Sequence, residues 1–115
     1  MSPIRLIRDT AELSGTCYFE FLPGPYRGRC WNAGSVFLAE DVFGLIEPVI
    51  ARHVPEFDHY SFVAVGRTTW ERVIPDLGSE AAASADRAFG ALAGELAAWL
   101  RGQLDDHECV SVLGM

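Results

Sequence analysis

The alternation of apolar and polar side chains is clearest at residues 16–22 (TCYFEFL). A period of two is typical of a β-strand, and here it puts Phe19 and Phe21 on one face and Glu20 on the other. The Pro-Gly-Pro sequence at residues 23–25 follows directly. It predicts that the strand ends there, because proline and glycine do not continue a ladder of backbone hydrogen bonds.

Two longer segments show the helical period instead. Residues 34–53 place their apolar side chains on one half of a helix, with Pro48 as a kink or as the start of a second piece. Residues 79–104 predict a second long helix. The side of this helix opposite its apolar stripe carries small residues and arginines around Gly90 and Gly94. A glycine in an exposed helix costs about 1 kcal/mol relative to alanine. The pair would let another helix approach closely, for example in a homodimer through this face, and the alternative is an ordinary solvent-exposed face.

The segment between the two long helices predicts a strand and a short helix. Residues 59–66 (HYSFVAVG) are apolar on both faces, which is typical of a central strand. Residues 67–77 have Thr68 and Glu71 at the spacing of a capping box. They predict a short helix that Pro75 stops.

The order of elements favours an α+β fold. Residues 4–7 can add a short edge strand, and residues 109–113 (CVSVL) a last strand. We expect a small sheet of three to five strands with two long helices packed on one face. A length of 115 residues is most simply a single domain, residues 1–115.

Charge and composition narrow the function. The chain has no lysine, and nine arginines stand against sixteen acidic residues, for a net charge of −7. The absence of lysine excludes a P-loop lysine, a Schiff base and a lysine general base. The negative charge argues against nucleic-acid binding and is compatible with a basic protein partner.

The expected compartment is the cytoplasm. No apolar run approaches the roughly 18 residues of a membrane span, and the first residues do not have the pattern of a secretory signal. The three cysteines, Cys17, Cys30 and Cys109, have no CxxC spacing and are predicted to be reduced thiols.

Catalytic and metal-binding patterns are weak. Cys30 precedes a predicted helix and could act as a nucleophile with His53 or His59 as its base, but no local signature surrounds it. Zinc ligands usually come in close pairs, and His107-x-Cys109 is the one such pair here. We therefore predict no catalytic residue, no metal site and no cofactor.

Residues 24–32 (GPYRGRCWN) form the most suggestive surface. Tyrosine, tryptophan and arginine are enriched at binding hot spots, and loops on a rigid scaffold often carry sites. The predicted partner-binding residues of this loop are Tyr26, Arg27, Arg29 and Trp31. The alternative is that both rings fold back onto the protein while both arginines pair with local carboxylates.

The first predicted long helix offers a second binding surface. Phe37 is expected to project from its polar face near Glu40 and Asp41, and Glu47 lies on the same half. An exposed ring among carboxylates can anchor a partner. The alternative is that the preceding loop covers Phe37.

In size, acidity and these two surfaces, the chain resembles the small immunity proteins with which bacteria neutralise toxins. The resemblance is carried by Glu40, Asp41, Glu47 and the GPYRGRCWN loop. It implies a one-to-one complex with a cognate toxin domain, often a basic nuclease, whose active site is covered. The alternatives are a small enzyme or ligand-binding domain with a pocket near Cys30, His59 and Arg67, and a subunit of a larger assembly.

Overall fold

A computed structural model describes residues 2–15 and 17–114. An antiparallel four-stranded sheet has the order β2-β1-β4-β3. Its strands are β1 (Tyr18–Pro23), β2 (Val36–Ala39), β3 (Phe62–Gly66) and β4 (Cys109–Leu113). The helices are α1 (Glu40–Phe43), α2 (Glu47–His53), α3 (Arg67–Ala83) and α4 (Arg87–Asp106), and Thr10–Glu12 form a 3-10 turn. The predicted α+β class is confirmed.

The hydrophobic core lies between one face of the sheet and the helices. Alternate strand residues point into it, because successive side chains of a strand lie on opposite faces. Trp70 of α3 is fully buried, and its indole Nε1 donates to the carbonyl oxygen of Val110 at 3.1 Å. The rings of Phe19 and Phe43 stack at 3.8 Å. We call the opposite side of the sheet its outer face.

The predicted helix over residues 34–53 is wrong in its first part. Val36–Ala39 is β2, which pairs with β1, and two short helices follow it. The apolar run Val-Phe-Leu-Ala fits one face of a helix and also a strand buried on both sides, so its period cannot distinguish them. Pro48 lies in the first turn of α2, which agrees with the prediction that it could mark the start of a second helical piece.

The predicted boundaries of the two later helices are also wrong. Helix α3 continues through Pro75 to Ala83. Proline removes one backbone hydrogen bond, and the carbonyl it would have used belongs to the exposed Glu71, where water can replace the lost donor. Helix α4 begins only after Asp86, whose side chain accepts from the amides of Ala88 and Phe89.

The two edges of the sheet differ. Ile7 and Phe37 exchange backbone hydrogen bonds of 2.9 and 2.8 Å, so the segment predicted as an edge strand contributes a single bridge over the β2 edge. Strand β3 forms the other edge, whereas its apolar pattern predicted a central position. Phe62 and Ala64 are exposed on the outer face, which places two apolar side chains of β3 at the surface.

Candidate functional site

A buried carboxylate anchors the loop after β1 to the outer face of the sheet. Glu20 is 2% exposed, and its two carboxylate oxygens accept four hydrogen bonds. The donors are the backbone amides of Trp31 (2.6 Å) and Asn32 (3.0 Å), the Asn32 Nδ2 (3.0 Å) and the Ser35 hydroxyl (2.6 Å). A carboxylate accepts several bonds at once, so one side chain fixes three residues at the end of the loop.

The conformation of Trp31 depends on this anchor. Its φ of 62° is the only positive value at a non-glycine residue in ranges 2–15 and 17–114. The left-handed region is unfavourable for a residue with a Cβ by roughly 1–2 kcal/mol. The bond from the Trp31 amide to Glu20 offsets this strain and holds the indole on the outer face, edge-on to Tyr18 at 6.1 Å.

Four rings form what we call the aromatic surface: Tyr18, Tyr26, Trp31 and Phe62. Tyr26 and Phe62 lie 4.7 Å apart, and Trp31 and Phe62 line one cleft of about 270 Å³ with Tyr18. Tyr26, Trp31 and Phe62 are 42%, 40% and 43% exposed, which is high for rings of this size. Phe62 was missed in the sequence because an apolar run does not distinguish an edge strand from a central one.

Two arginines, Arg27 and Arg29, belong to the same loop as Tyr26 and Trp31 and line a cleft with Asn32 and Ala33. Arg27 and Arg29 are exposed, and within the described ranges neither lies within 4.0 Å of a carboxylate. By contrast, Arg8 pairs with Glu95, and Arg52 with two acidic residues of α3. The alternative that Arg27 and Arg29 pair with local carboxylates is therefore wrong, while the rings of the loop do fold partly back onto the sheet.

Phe37 does not contribute to a surface. It lies in β2 rather than on a helix, and its exposed fraction is 0%. Its backbone bridges to that of Ile7, and the alternative that the preceding loop covers its ring stays a prediction. The prediction that Phe37 anchors a partner is wrong for this conformation.

The predicted acidic helix face is engaged within the chain. His59 lies between two carboxylates, with Nε2 2.9 Å from Glu40 and Nδ1 3.2 Å from Glu47. Asp41 accepts from the Ser2 amide at 2.8 Å. The prediction of one helix carrying all three carboxylates is thus corrected, because Glu40 and Asp41 lie in α1 and Glu47 lies in α2. Glu40 and Asp41 still border the aromatic surface, since both line a second cleft with Tyr18.

The pair of carboxylates makes folding sensitive to the charge of His59. Hydrogen bonds to Glu40 and then to Glu47 raise the pKa of His59 above its ordinary value. The contacts of protonated His59 with the two carboxylates therefore stabilise the folded state fully below about pH 6.5, the ordinary pKa of histidine. This stabilisation is lost as pH rises through the pKa that His59 has in the folded state.

We expect His59→Gln to lower the free energy of unfolding by about 1 kcal/mol at pH 6, because Glu40 is partly exposed and screened by water. The difference from the wild type should shrink toward pH 8, as measured by urea unfolding. In the matched variant with Glu40→Gln and Glu47→Gln, His59→Gln should have no pH-dependent effect. An equal pH dependence with and without the carboxylates would contradict this assignment.

The residues of the enzyme alternative are not gathered in one cleft. Cys30 lines the cleft of the aromatic surface, whereas Arg67 lines another with Glu71 and Arg101. Partial desolvation and then the charge of Glu20 raise the pKa of the Cys30 thiol, which disfavours the thiolate a nucleophile needs. The guanidinium of Arg67 donates to carbonyl oxygens at the end of α4, including that of Leu104 at 3.1 Å from Nε.

Histidines and cysteines do not converge on a metal-binding arrangement in the described part of the chain. His53 contacts Asp76 through Nε2 at 2.9 Å, and that contact, followed by Arg52, lowers the pKa of the Asp76 carboxyl. These side chains join α2 to α3 and have a structural role.

The remaining predicted surface is the glycine face of α4. A Cβ atom built at Gly90 or Gly94 would meet no atom within 4 Å, so packing inside the chain does not require either glycine. A dimer through this face stays a prediction. No helix among the described residues has the length and apolar character needed to cross a membrane.

Comparison with known proteins identifies no relative. No protein-family model, curated protein or solved structure matches this chain at a significant level. The function is therefore argued from the residues of the site.

Proposed function

We propose that this chain is a protein-binding inhibitor of the immunity-protein kind, and that its docking surface is the aromatic surface together with Arg27 and Arg29. One observation carries the proposal: Tyr26, Trp31 and Phe62 are about 40% exposed, and the two arginines of the same loop as Tyr26 and Trp31 form no ion pair within residues 2–15 and 17–114. Tryptophan, tyrosine and arginine are the side chains that contribute most binding energy at protein interfaces.

Preorganisation supports the same proposal. The Glu20 carboxylate fixes the end of the loop and presents Trp31 in a strained conformation. Backbone strain of this kind tends to occur where function requires a particular side-chain position. A loop held in its bound conformation loses less entropy when a partner binds, so affinity increases.

Charge supports a basic partner. The chain carries −7, and Glu40 and Asp41 border the aromatic surface through the cleft they share with Tyr18. A negative protein speeds its encounter with a cationic one, and this effect weakens as salt is added. Arg27 and Arg29 would then pair with acidic groups of the partner at the rim. A toxin domain with a basic active-site region has this chemistry.

The test begins with capture of a partner from the native host by the immobilised chain. The captured protein should stop growth when produced alone, and co-production of the wild-type chain should restore growth. Trp31→Ala and Arg29→Ala should each weaken binding by about 30-fold, or about 2 kcal/mol, and reduce protection. Binding is measured by calorimetric titration.

Two substitutions serve as matched controls. Leu45→Ala removes a side chain that is 45% exposed in the turn before α2, and Arg87→Ala removes one positive charge from α4. Both should bind and protect within about threefold of the wild type, since neither residue belongs to the docking surface. A captured partner that is not toxic, or full protection by the Trp31 variant, would contradict the proposal.

A further inference from the structure

Strand β3 forms one edge of the sheet, and within the described residues its outward-pointing backbone N–H groups have no acceptor. The Gly114 amide donates to the Ser61 carbonyl and the Arg67 amide to the Glu108 carbonyl, both at the ends of the β3–β4 ladder. Hydrogen-bonded positions alternate along an antiparallel strand. The backbone N–H and C=O groups of Phe62 and Ala64, and the N–H of Gly66, therefore point away from β4.

This edge lacks the features that usually prevent pairing with another strand. The β3 sequence Phe-Val-Ala-Val-Gly contains no charge and no proline, and among the described residues no isolated bridge covers it, whereas Ile7 bridges the opposite edge. Natural proteins protect edge strands with lysine, proline, bulges or a covering segment. An apolar edge that is left open is a site for strand addition.

We propose that β3 pairs antiparallel with β3 of a second copy of this chain, joining the two four-stranded sheets across a two-fold axis at Ala64. In this register each Ala64 exchanges both backbone hydrogen bonds with Ala64 of the second copy. Each Gly66 N–H donates to the Phe62 carbonyl of the other copy. A two-fold interface needs a self-complementary surface, and this strand provides one.

The side chains on the outer face match the same register. Phe62 of one copy lies opposite Gly66 of the other, and a Cβ at Gly66 would meet no atom within 4 Å. The ring of Phe62 therefore has room to lie over Gly66 of the other copy. Aromatic side chains placed across from glycine stabilise paired strands. Ala64, small and exposed, lets the two chains approach at the axis.

The available area sets the strength of the dimer. Tyr26, Tyr60 and Phe62 are 42%, 75% and 43% exposed. At about 200 Å² for an aromatic side chain, they offer roughly 300 Å² per copy. The pair would bury roughly 600 Å² from rings, a little over a third of a standard interface of about 1,600 Å², so the dimer is weak and depends on concentration. The dimer interface includes Phe62, so a partner bound to the aromatic surface would compete with dimerisation.

The test is sedimentation velocity of the whole chain between about 10 µM and about 1 mM, the range in which a small interface associates. The mass should rise from one chain toward two, and added salt should preserve or strengthen the dimer because residues 60–66 carry no charge while each chain carries −7. Association with the proposed basic partner should weaken in salt. The inference does not rest on the inhibitor function, and its failure would leave that function standing.

Substitutions of Ala64 identify the edge. Ala64→Pro removes the N–H that points away from β4 and should weaken the dimer at least about tenfold with the fold retained. Ala64→Thr keeps that N–H and should dimerise within about threefold of the wild type. Should the proline variant not fold, Ala64→Lys places two like charges across the axis and should abolish the dimer.

Three results would overturn the proposal. The first is a monomeric wild type at about 1 mM, the second an Ala64→Pro variant that folds and dimerises like the wild type. The third is loss of the dimer in Gly94→Arg with dimerisation of Ala64→Pro intact, which would assign the contact to the glycine face of α4. If the wild type is monomeric and captures another protein that Ala64→Pro does not capture, the β3 edge pairs with a strand of that other protein instead of with a second copy.

Discussion

Glu20→Ala should lower the free energy of unfolding by about 4 kcal/mol. The substitution leaves the amides of Trp31 and Asn32 and the Ser35 hydroxyl without their acceptor in a site that is almost fully buried. Each unsatisfied buried donor costs about 1–3 kcal/mol, reduced where water enters. A typical domain has about 5–15 kcal/mol in total, so the loss is a large share of it. Urea unfolding, with midpoint and slope both fitted, measures the change.

A surface carboxylate gives the matched control for this substitution. Glu95 pairs with Arg8 at 3.2 Å, and its side chain is 45% exposed. Glu95→Ala should change the free energy of unfolding by less than about 1 kcal/mol, because exposed ion pairs contribute little. Equal losses for Glu20→Ala and Glu95→Ala would show that Glu20 does not anchor the loop.

Trp70→Ala should cost about 3–5 kcal/mol. The indole is fully buried between α3 and the sheet, and its removal leaves a cavity and deprives the Val110 carbonyl of a donor. Trp70→Phe keeps most of the ring volume and should cost about 2 kcal/mol, divided between lost volume and the lost hydrogen bond. Thermal and urea unfolding of both variants should show a larger loss of stability for Trp70→Ala than for Trp70→Phe.

Trp99 is the comparison for Trp70. It lies on α4, partly buried against the same core, and it makes no hydrogen bond through its indole within the described residues. Trp99→Ala should therefore cost clearly less, about 1–2 kcal/mol, because water already reaches part of the ring. A larger loss at Trp99 than at Trp70 would contradict the described core.

Much of the fold could be predicted from local pattern. The strands at residues 18–23 and 109–113 follow their alternation, and Pro-Gly-Pro ends the first as predicted. Strand β2 could not be distinguished from a helix because its four residues are all apolar. Pairing order was also out of reach, since β4 becomes central only through long-range hydrogen bonds with β1 and β3.

The candidate site was predicted in part. Tyr26 and Trp31 were found from residue type, and the structure places both on the outer face at the surface. Glu20 was assigned only to the polar face of a strand, because its donors lie in residues 31–35 and the fold brings them to it. The exposure of Phe62 could not be predicted without knowing that β3 is an edge strand. His59, Glu40 and Glu47 meet across three elements, and spacing in the sequence gives no sign of it.

Hydrogen exchange of the chain, free and bound to the protein whose toxicity it neutralises, tests the docking surface most directly. The backbone amides of residues 26–30 donate to no backbone or side-chain acceptor in the described structure, so they should exchange fast in the free chain. In the complex, exchange at residues 26–30 and at Phe62 should slow at least about tenfold. Unchanged exchange there, with slowing at residues 84–86 between α3 and α4 instead, would place the partner elsewhere and contradict the account.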